Sequence, residues 1–320
     1  MKNQGLFSNK FETVTGKEVA DIISENSFFS MEKVVESETI NNILSEVNLF
    51  DLKLNTNDIS PVHSNDGYFA SSAIAKSITL YNLLTSEKIF DISREYLGDK
   101  FRLKCHRVYS TDPFIRGAWH TDNKNHGKVN SKVKGLVFMI YLNDTFEGEF
   151  QAIKKSHSKT QNYESSNFDE DLIKHFDEKN IIKFKNPAGS IIIFDNRTIH
   201  RAKPYYNILW SRKSLFFQID NEIEDGEKII INTRFVKNFD MQLSNYLGFG
   251  KKNTMPHEPH SSKIINLNFI NICKIQFQLL IAIFVRTQFI IRALFTGTIK
   301  RKIKKILGIK RKNYNLKIKN

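Results

Sequence analysis

Four side chains carry the types and spacing that chemistry needs. His120 and Asp122 form a His-x-Asp pair, His200 follows, and Arg212 lies twelve residues beyond it. Two imidazoles and one carboxylate on one face of an iron leave open positions, which a metal that must bind both a cosubstrate and dioxygen requires. Arg212 offers a planar, bidentate cationic fork, and Ser214, two residues on, points to the same face of a strand and can add a hydroxyl. The His-x-Asp pair alone is a weak signal, so its context decides.

The elements around these residues are short and apolar. Phe101 to Tyr109 reads as a strand, and Gly117-Ala-Trp-His-Thr-Asp122 sets the two candidate ligands where an apolar edge turns into a polar loop, as at the mouth of a barrel. Leu136 to Leu142, Phe150 to Ile153, Ile181 to Phe184, Ser190 to Phe194, Ser214 to Ile219 and Lys228 to Asn232 are further expected strands, separated by Gly, Pro, Asn and Asp. The first hundred residues read mostly as helix. Ile74, Ile78 and Tyr81 fall at i, i+4 and i+7, and Gly98 is a C-cap that releases the chain into the strand at Phe101. Many short strands without amphipathic helices between them point to a closed or double-sheet β architecture.

The ordered series LVFMIYLND (136–144), Gly148-Glu-Phe150, Lys155-Ser-His157, Pro187 to Phe194, His200, Asn207 and Arg212-Lys-Ser214 resembles the phytanoyl-CoA dioxygenase-like family of iron(II)/2-oxoglutarate oxygenases. The likeness covers residues 70 to 220. It implies a mainly β fold with flanking helices, a double-stranded β-helix (jelly roll, cupin-like), to which the sequence beyond it adds a C-terminal helical extension. It implies that His120, Asp122 and His200 hold Fe(II), that 2-oxoglutarate chelates two of the remaining positions and O2 takes the third, and that Arg212 and Ser214 receive the distal carboxylate of 2-oxoglutarate. Decarboxylation to succinate and CO2 then drives hydroxylation of an unactivated C–H bond in a small-molecule or acyl, lipid-like substrate. Related halogenases lack the carboxylate ligand, so Asp122 favours hydroxylation. The chain departs from the family in having Gly189-Ser190 for Gly-Asp, and Lys154-Lys155 for the Pro-Gly before Ser-His. Both changes bear on substrate contacts and neither removes a ligand.

Other polar residues divide between support and function. Tyr109 and Lys104, on the strand feeding the triad, are further candidates to touch the cosubstrate. His106, in an alternating strand, reads as structural, His157 as a loop support, and Trp119 as packing. The segment Asn123 to Lys134 holds four lysines, one histidine and no acid, and is expected to act as a lid over an anionic substrate or to form a solvated loop.

The formal charge of +14 belongs to one end of the chain: residues 1–262 hold 34 Lys/Arg against 34 Asp/Glu, and residues 263–320 hold 14 basic residues and no acid. Residues 275 to 285 (IQFQLLIAIFV) are uncharged, but eleven residues are short of the ~20 that span a bilayer. Ile299, Ile303, Ile306 and Leu307 stripe a second helix whose other faces are lysine and arginine. An interfacial helix followed by a polybasic segment suits peripheral membrane contact through 264–312. Packing on the barrel or on a second subunit competes with that reading, and nucleic acid is disfavoured because aromatic residues are nearly absent among the final basic ones.

The expected organisation is therefore a dioxygenase domain over 1–248, with a helical part over 1–100 and the jelly-roll core about 101–235, a Pro/Gly-rich linker over 249–263 that contains His257 and His260, and a basic amphipathic extension over 264–320. Only Cys105 and Cys273 are present, which excludes a disulfide framework or a cysteine-rich zinc site. The N-terminal residues lack an apolar signal segment, so a cytoplasmic protein is expected, peripheral at the membrane surface if the extension binds lipid. The alternative is an inactive jelly roll that works as a scaffold through its basic tail.

Overall fold

The computed structural model describes residues 5–47, 62–64, 67–70, 72–111, 117–125, 128–129, 133–160, 166–207 and 210–255, with eight positions between 277 and 291. His257, His260, most of the extension, and residues 126–127 and 130–132 of the lysine-rich segment lie outside these.

Helices come first. α1 (Asn9–Glu12) and α2 (Gly16–Asn26) precede strand β1 (Phe28–Met31), followed by α3 (Ser37–Val47), β2 (Val62–Ser64), β3 (Gly67–Ala70), α4 (Ile78–Leu84) and α5 (Glu87–Leu97). A capping box starts α2: the Glu18 amide donates to Thr15 Oγ1 at 3.2 Å and the Thr15 amide to Glu18 Oε2 at 2.7 Å. Gly98 ends α5 at φ +89°, its amide bonded to Arg94 O at 2.9 Å.

The remaining strands are β4 (Arg102–Thr111), β5 (Trp119–His120), β6 (Lys124–Asn125), β7 (Lys128–Val129), β8 (Gly135–Tyr141), β9 (Phe150–Ile153), β10 (Asn167–Phe168), β11 (Ile181–Phe184), β12 (Ile191–Asp195), β13 (His200–Ala202) and β14 (Arg212–Asp220). Two short helices complete the body, α6 (Glu170–Ile173) and α7 (Met241–Tyr246). The larger sheet runs β1-β12-β8-β14-β4-β3-β2, the smaller β10-β5-β13-β9-β11, and β6-β7 form a separate hairpin. Every pairing between these strands, among the described residues, is antiparallel. Together they make a jelly roll, the double-stranded β-helix, with helices packed outside.

Period-two alternation on the larger sheet separates two cores. Leu136, Phe138 and Ile140 of β8, Ile191 and Ile193 of β12, and Leu215, Phe217 and Ile219 of β14 pack against the helices. The alternate residues Val137, Met139, Tyr141, Ile192 and Phe194 meet Phe150, Ala152 and Phe184 of the smaller sheet. The second set fills the space between the sheets, which is where the candidate ligands point.

Four expectations need correction. Residues Lys228 to Asn232 form no strand, although Ile229 and Ile231 pack on the helix-side core. Ile78 is the first residue of α4, after the Ser77 cap, and faces solvent, while Ile74 sits in a separate 3-10 turn. The helical N-terminal part also contains β1, paired along its length with β12. Finally, the folded body continues past 248. The Arg102 guanidinium, fully buried, donates to Ile223 O (3.3 Å), Lys252 O (3.0 Å) and Asn253 Oδ1 (2.8 Å), and Met255 N bonds to Gly226 O, so residues 249–255 are held on the body.

Candidate active site

His120 and His200 face each other across the smaller sheet as register partners on β5 and β13. Alternation turns their neighbours outward: Trp119 is buried against Ile153, Phe168, Ile173 and Ile199, and the Arg201 guanidinium stacks on its ring at 4.3 Å. Trp119 is thus packing on the outside of the barrel. The two imidazole centroids are 4.3 Å apart inside it, with Phe194 at 4.7 Å and Phe150 at 5.2 Å from His200.

Asp122 completes the cluster. Its Oδ1 is 3.8 Å from His120 Nε2 and its Oδ2 3.3 Å from His200 Nε2, and one ligand atom from each residue lies within 4.8 Å of the others. Two ligands held at right angles, each about 2.1 Å from a metal, are about 3 Å apart.

Hydrogen bonds settle which ring nitrogen faces the gap. His120 Nδ1 lies 2.8 Å from Ala118 O, and His200 Nδ1 lies 2.9 Å from Thr198 O. A backbone carbonyl only accepts, so both Nδ1 atoms carry a proton and both rings turn Nε2 toward Asp122. Asp122 Oδ2 is buried with no hydrogen-bond donor. Two imidazole Nε2 atoms converging on such a carboxylate make a donor set that suits a divalent ion. Burial works against ionising Asp122. His200, His120 and Arg107 outweigh it and hold the carboxyl well below the usual carboxylate range, in the form that binds a metal.

The Asp122 backbone is fixed from both sides. Its amide donates to Asn196 O at 2.7 Å, and its carbonyl accepts from Gln218 Nε2 at 3.3 Å. Gln218 also donates to Asp220 Oδ1 at 2.8 Å, and Asp220 pairs with Lys104 Nζ at 3.0 Å. Lys104 therefore stands at the Asp122 end of β14, eight residues along the strand from Arg212, where β4 bulges opposite Gln218/Ile219.

Arg212 is buried at the other end. Its Nη1 donates to Gly148 O and its Nη2 to Thr111 Oγ1 at 3.3 Å, which leaves Nε without a partner. Gly148 has φ +64°, and a Cβ there would come 2.4 Å from the Tyr205 ring, so the bend that supplies this carbonyl needs glycine. Ser214, on the same face, is buried with an unpartnered Oγ. Its register partners are Tyr109 on β4 and Tyr141 on β8. Tyr109 stacks on Phe69 at 5.5 Å and points its hydroxyl at Met139 Sδ, 3.9 Å away. Arg212, Ser214, Tyr109 and Tyr141 thus line one end of the barrel interior, and two polar groups there want a ligand.

His157 and His106 lie elsewhere. Ser27 Oγ and His157 Nδ1 are 2.7 Å apart, and His157 Nε2 donates to Ser24 O at 3.2 Å, which ties the His157 loop to the end of α2. His106 is buried on the helix side, with the Ile74 amide 3.4 Å from its Nε2. Of the lysine-rich segment, the described parts form the β6-β7 hairpin directly after Asp122.

Sequence reasoning passed over Gln218, Asn196, Tyr141 and Arg107. Period two from Arg212 finds Gln218, because 212, 214, 216, 218 and 220 share a face. The same period from Tyr109 finds Arg107, half-buried, its guanidinium 5.0 Å from the Phe216 ring, with one nitrogen 3.5 Å from Cys105 Sγ and Nε unpartnered. Burial pushes the Cys105 thiol up to about 12, so it is no nucleophile at neutral pH.

The profile of the phytanoyl-CoA dioxygenase (PhyH) family matches residues 28–207, a span that includes all three candidate ligands and ends before Arg212. EctD from S. alaskensis, solved with bound Fe, superposes with a TM-score of 0.52 at 16% identity, over 76% of this chain and 85% of that one. SnoK, a non-heme alpha ketoglutarate dependent carbocyclase from nogalamycin biosynthesis, superposes with a TM-score of 0.51 at 15% identity, over 66% and 85%. HygX from Streptomyces hygroscopicus, solved with nickel and 2-oxoglutarate, gives a TM-score of 0.48 at 13% identity, over 63% and 86%. At these identities the likeness is one of fold. No curated protein matches the chain.

Proposed function

The chain belongs to the phytanoyl-CoA dioxygenase family, whose members use Fe(II), 2-oxoglutarate and O2, and we propose that this iron(II)/2-oxoglutarate oxygenase hydroxylates an unactivated C–H bond of a small-molecule or lipid-like substrate, releasing succinate and CO2. The observation that carries the reading is the convergence of His120 Nε2 and His200 Nε2 on the Asp122 carboxylate, with one ligand atom from each of the three residues within 4.8 Å of the others.

His120, Asp122 and His200 would hold the iron, which when bound supplies the oxidising chemistry that 2-oxoglutarate decarboxylation drives. The residues of this chain position and shield. Arg212 Nε and Ser214 Oγ, both without partners, are the donors for the distal carboxylate of 2-oxoglutarate. Phe150 and Phe194 against His200 keep water from that side of the centre. A carboxylate at 122 takes the position a halide needs, which favours hydroxylation over halogenation. Arg107, with a free Nε–H and a face on Phe216, gives the substrate side of the cavity a donor for an anionic or carbonyl group.

Anaerobic titration of the apoprotein with Fe(II) and 2-oxoglutarate tests the assignment without knowledge of the substrate. The visible charge-transfer band of the chelate is expected in the wild type, is lost in His200→Ala, and needs at least tenfold more 2-oxoglutarate in Arg212→Ala. No band from a folded wild type overturns the reading. Hydroxylation is then tested by a mass gain of one oxygen in a screen of acyl and small-molecule substrates, with succinate formed in equal amount.

A further inference from the structure

Eight described positions of the C-terminal extension, between 277 and 291, are helical and exposed. Phe277 is 64% exposed, Leu280 62%, Phe284 63% and Ile291 47%. At 100° per residue these four fall within about 60° of one another, and Arg286 lies on the opposite side. Such a stripe of large apolar side chains is costly to leave in water. Fifteen residues of helix rise about 22 Å, short of a hydrocarbon core of about 30 Å, and among the described residues no helix is long and apolar enough to cross a membrane.

The charge of the same region chooses the occupant. Residues 263–320 carry 14 Lys/Arg and no Asp/Glu, five of the basic residues falling between Lys300 and Lys305. Two copies of a segment so charged repel, which opposes self-pairing, and a nucleic acid would leave the apolar stripe unused, with Tyr314 the one aromatic residue after 300. A surface that is negative outside and apolar beneath satisfies both features.

We propose that the extension is a docking element for an anionic lipid bilayer. Phe277, Leu280, Phe284 and Ile291 enter the boundary between headgroups and acyl chains, and the basic residues from Lys300 to Lys312 meet the headgroup charge. The oxygenase would then work at a membrane surface, a reading independent of which bond it oxidises.

Flotation of the full-length protein tests this, with vesicles of phosphatidylcholine alone and of phosphatidylcholine with phosphatidylglycerol. The wild type is expected to float with the anionic vesicles at least tenfold more than with the neutral ones, less so as salt is raised. The variant carrying Phe277→Ser, Leu280→Ser and Phe284→Ser, and a second with Lys300→Gln, Arg301→Gln, Lys302→Gln, Lys304→Gln and Lys305→Gln, should each lose at least tenfold, with the iron–2-oxoglutarate band unchanged as a control on the fold. A single Phe284→Trp replacement should show a blue-shifted emission with anionic vesicles only. Wild-type protein that stays with the aqueous fraction, a triple variant that binds as the wild type does, or binding to RNA without binding to vesicles overturns the proposal.

Discussion

The Tyr96 hydroxyl donates to Asp195 Oδ2 at 2.6 Å, joining the last turn of α5 to the bend between β12 and β13 that presents His200. Asp195 is fully buried and also receives the Arg197 amide (2.7 Å), Nε (2.8 Å) and Nη2 (2.5 Å). A buried carboxylate with this many donors holds the bend rigid. Tyr96→Phe removes one donor of several and should cost about 1–2 kcal/mol in urea unfolding. Asp195→Ala strands the Arg197 guanidinium in a nearly buried site and should cost about 3–5 kcal/mol. Equal losses in the two variants would contradict this ranking.

Gln218 reaches the metal only through the backbone of Asp122. Replacing it with Leu keeps the size and removes the donor. Partners of this kind are worth about 10–100-fold in metal affinity, so Gln218→Leu should weaken Fe(II) binding by calorimetry by at least tenfold while the melting temperature moves little. Unchanged affinity would mean that Asn196 alone fixes the loop.

Gly135 admits no side chain. A Cβ there would lie 2.0 Å from Asp220 Oδ1 and 2.7 Å from Asn196 Nδ2, and both groups belong to the frame around Asp122. Gly135→Ala should destabilise the fold by about 1–3 kcal/mol and weaken Fe(II) binding at the same time. A melting temperature and metal affinity equal to wild type would show that the frame yields freely.

His157 makes stability depend on pH. Burial, the largest influence, lowers its pKa below 6.5, and its neutral form is satisfied by Ser27 and Ser24. The unfolded chain binds the proton more readily than the native one, so stability rises with pH. It is complete above 6.5 and declines as pH falls from 6.5 toward the lowered native value. The melting temperature of the wild type should therefore drop between pH 7.5 and 5.5, and His157→Gln should be lower at pH 7.5 but flatter across the range. Parallel pH profiles would assign the dependence to other groups.

The candidate ligands were legible because ligand identity is chemical and their spacing sits between runs that can only be strands. β9 and β11 have the expected bounds, since each is a short apolar run closed by polar residues. What could not be read depends on partners distant in sequence. Phe28–Met31 is a strand because β12 offers it an edge, and Lys228 to Asn232, with equal apolar content, is not one. Lys104 and Arg107 lie three residues apart, and only the bulge at Gln218/Ile219 decides that one pairs with Asp220 while the other faces the cavity. The first two charged residues beyond the expected boundary, Lys251 and Lys252, look like linker, yet the buried Arg102 draws the Lys252 carbonyl onto the body.

β5 is two residues long and β13 three, and their shared rung is the His120–His200 pair. A ladder so brief contributes little cohesion of its own, whereas a metal ion bound by both rings would staple two points eighty residues apart in the chain. Loading would then act as a mechanical fastening as well as a chemical one. Amide protons of 118–122 and 198–202 should exchange slowly in the loaded protein and much faster after chelation, while those of β8 and β14 keep their protection, so that the ion's presence is written into the breathing of one sheet and not the other.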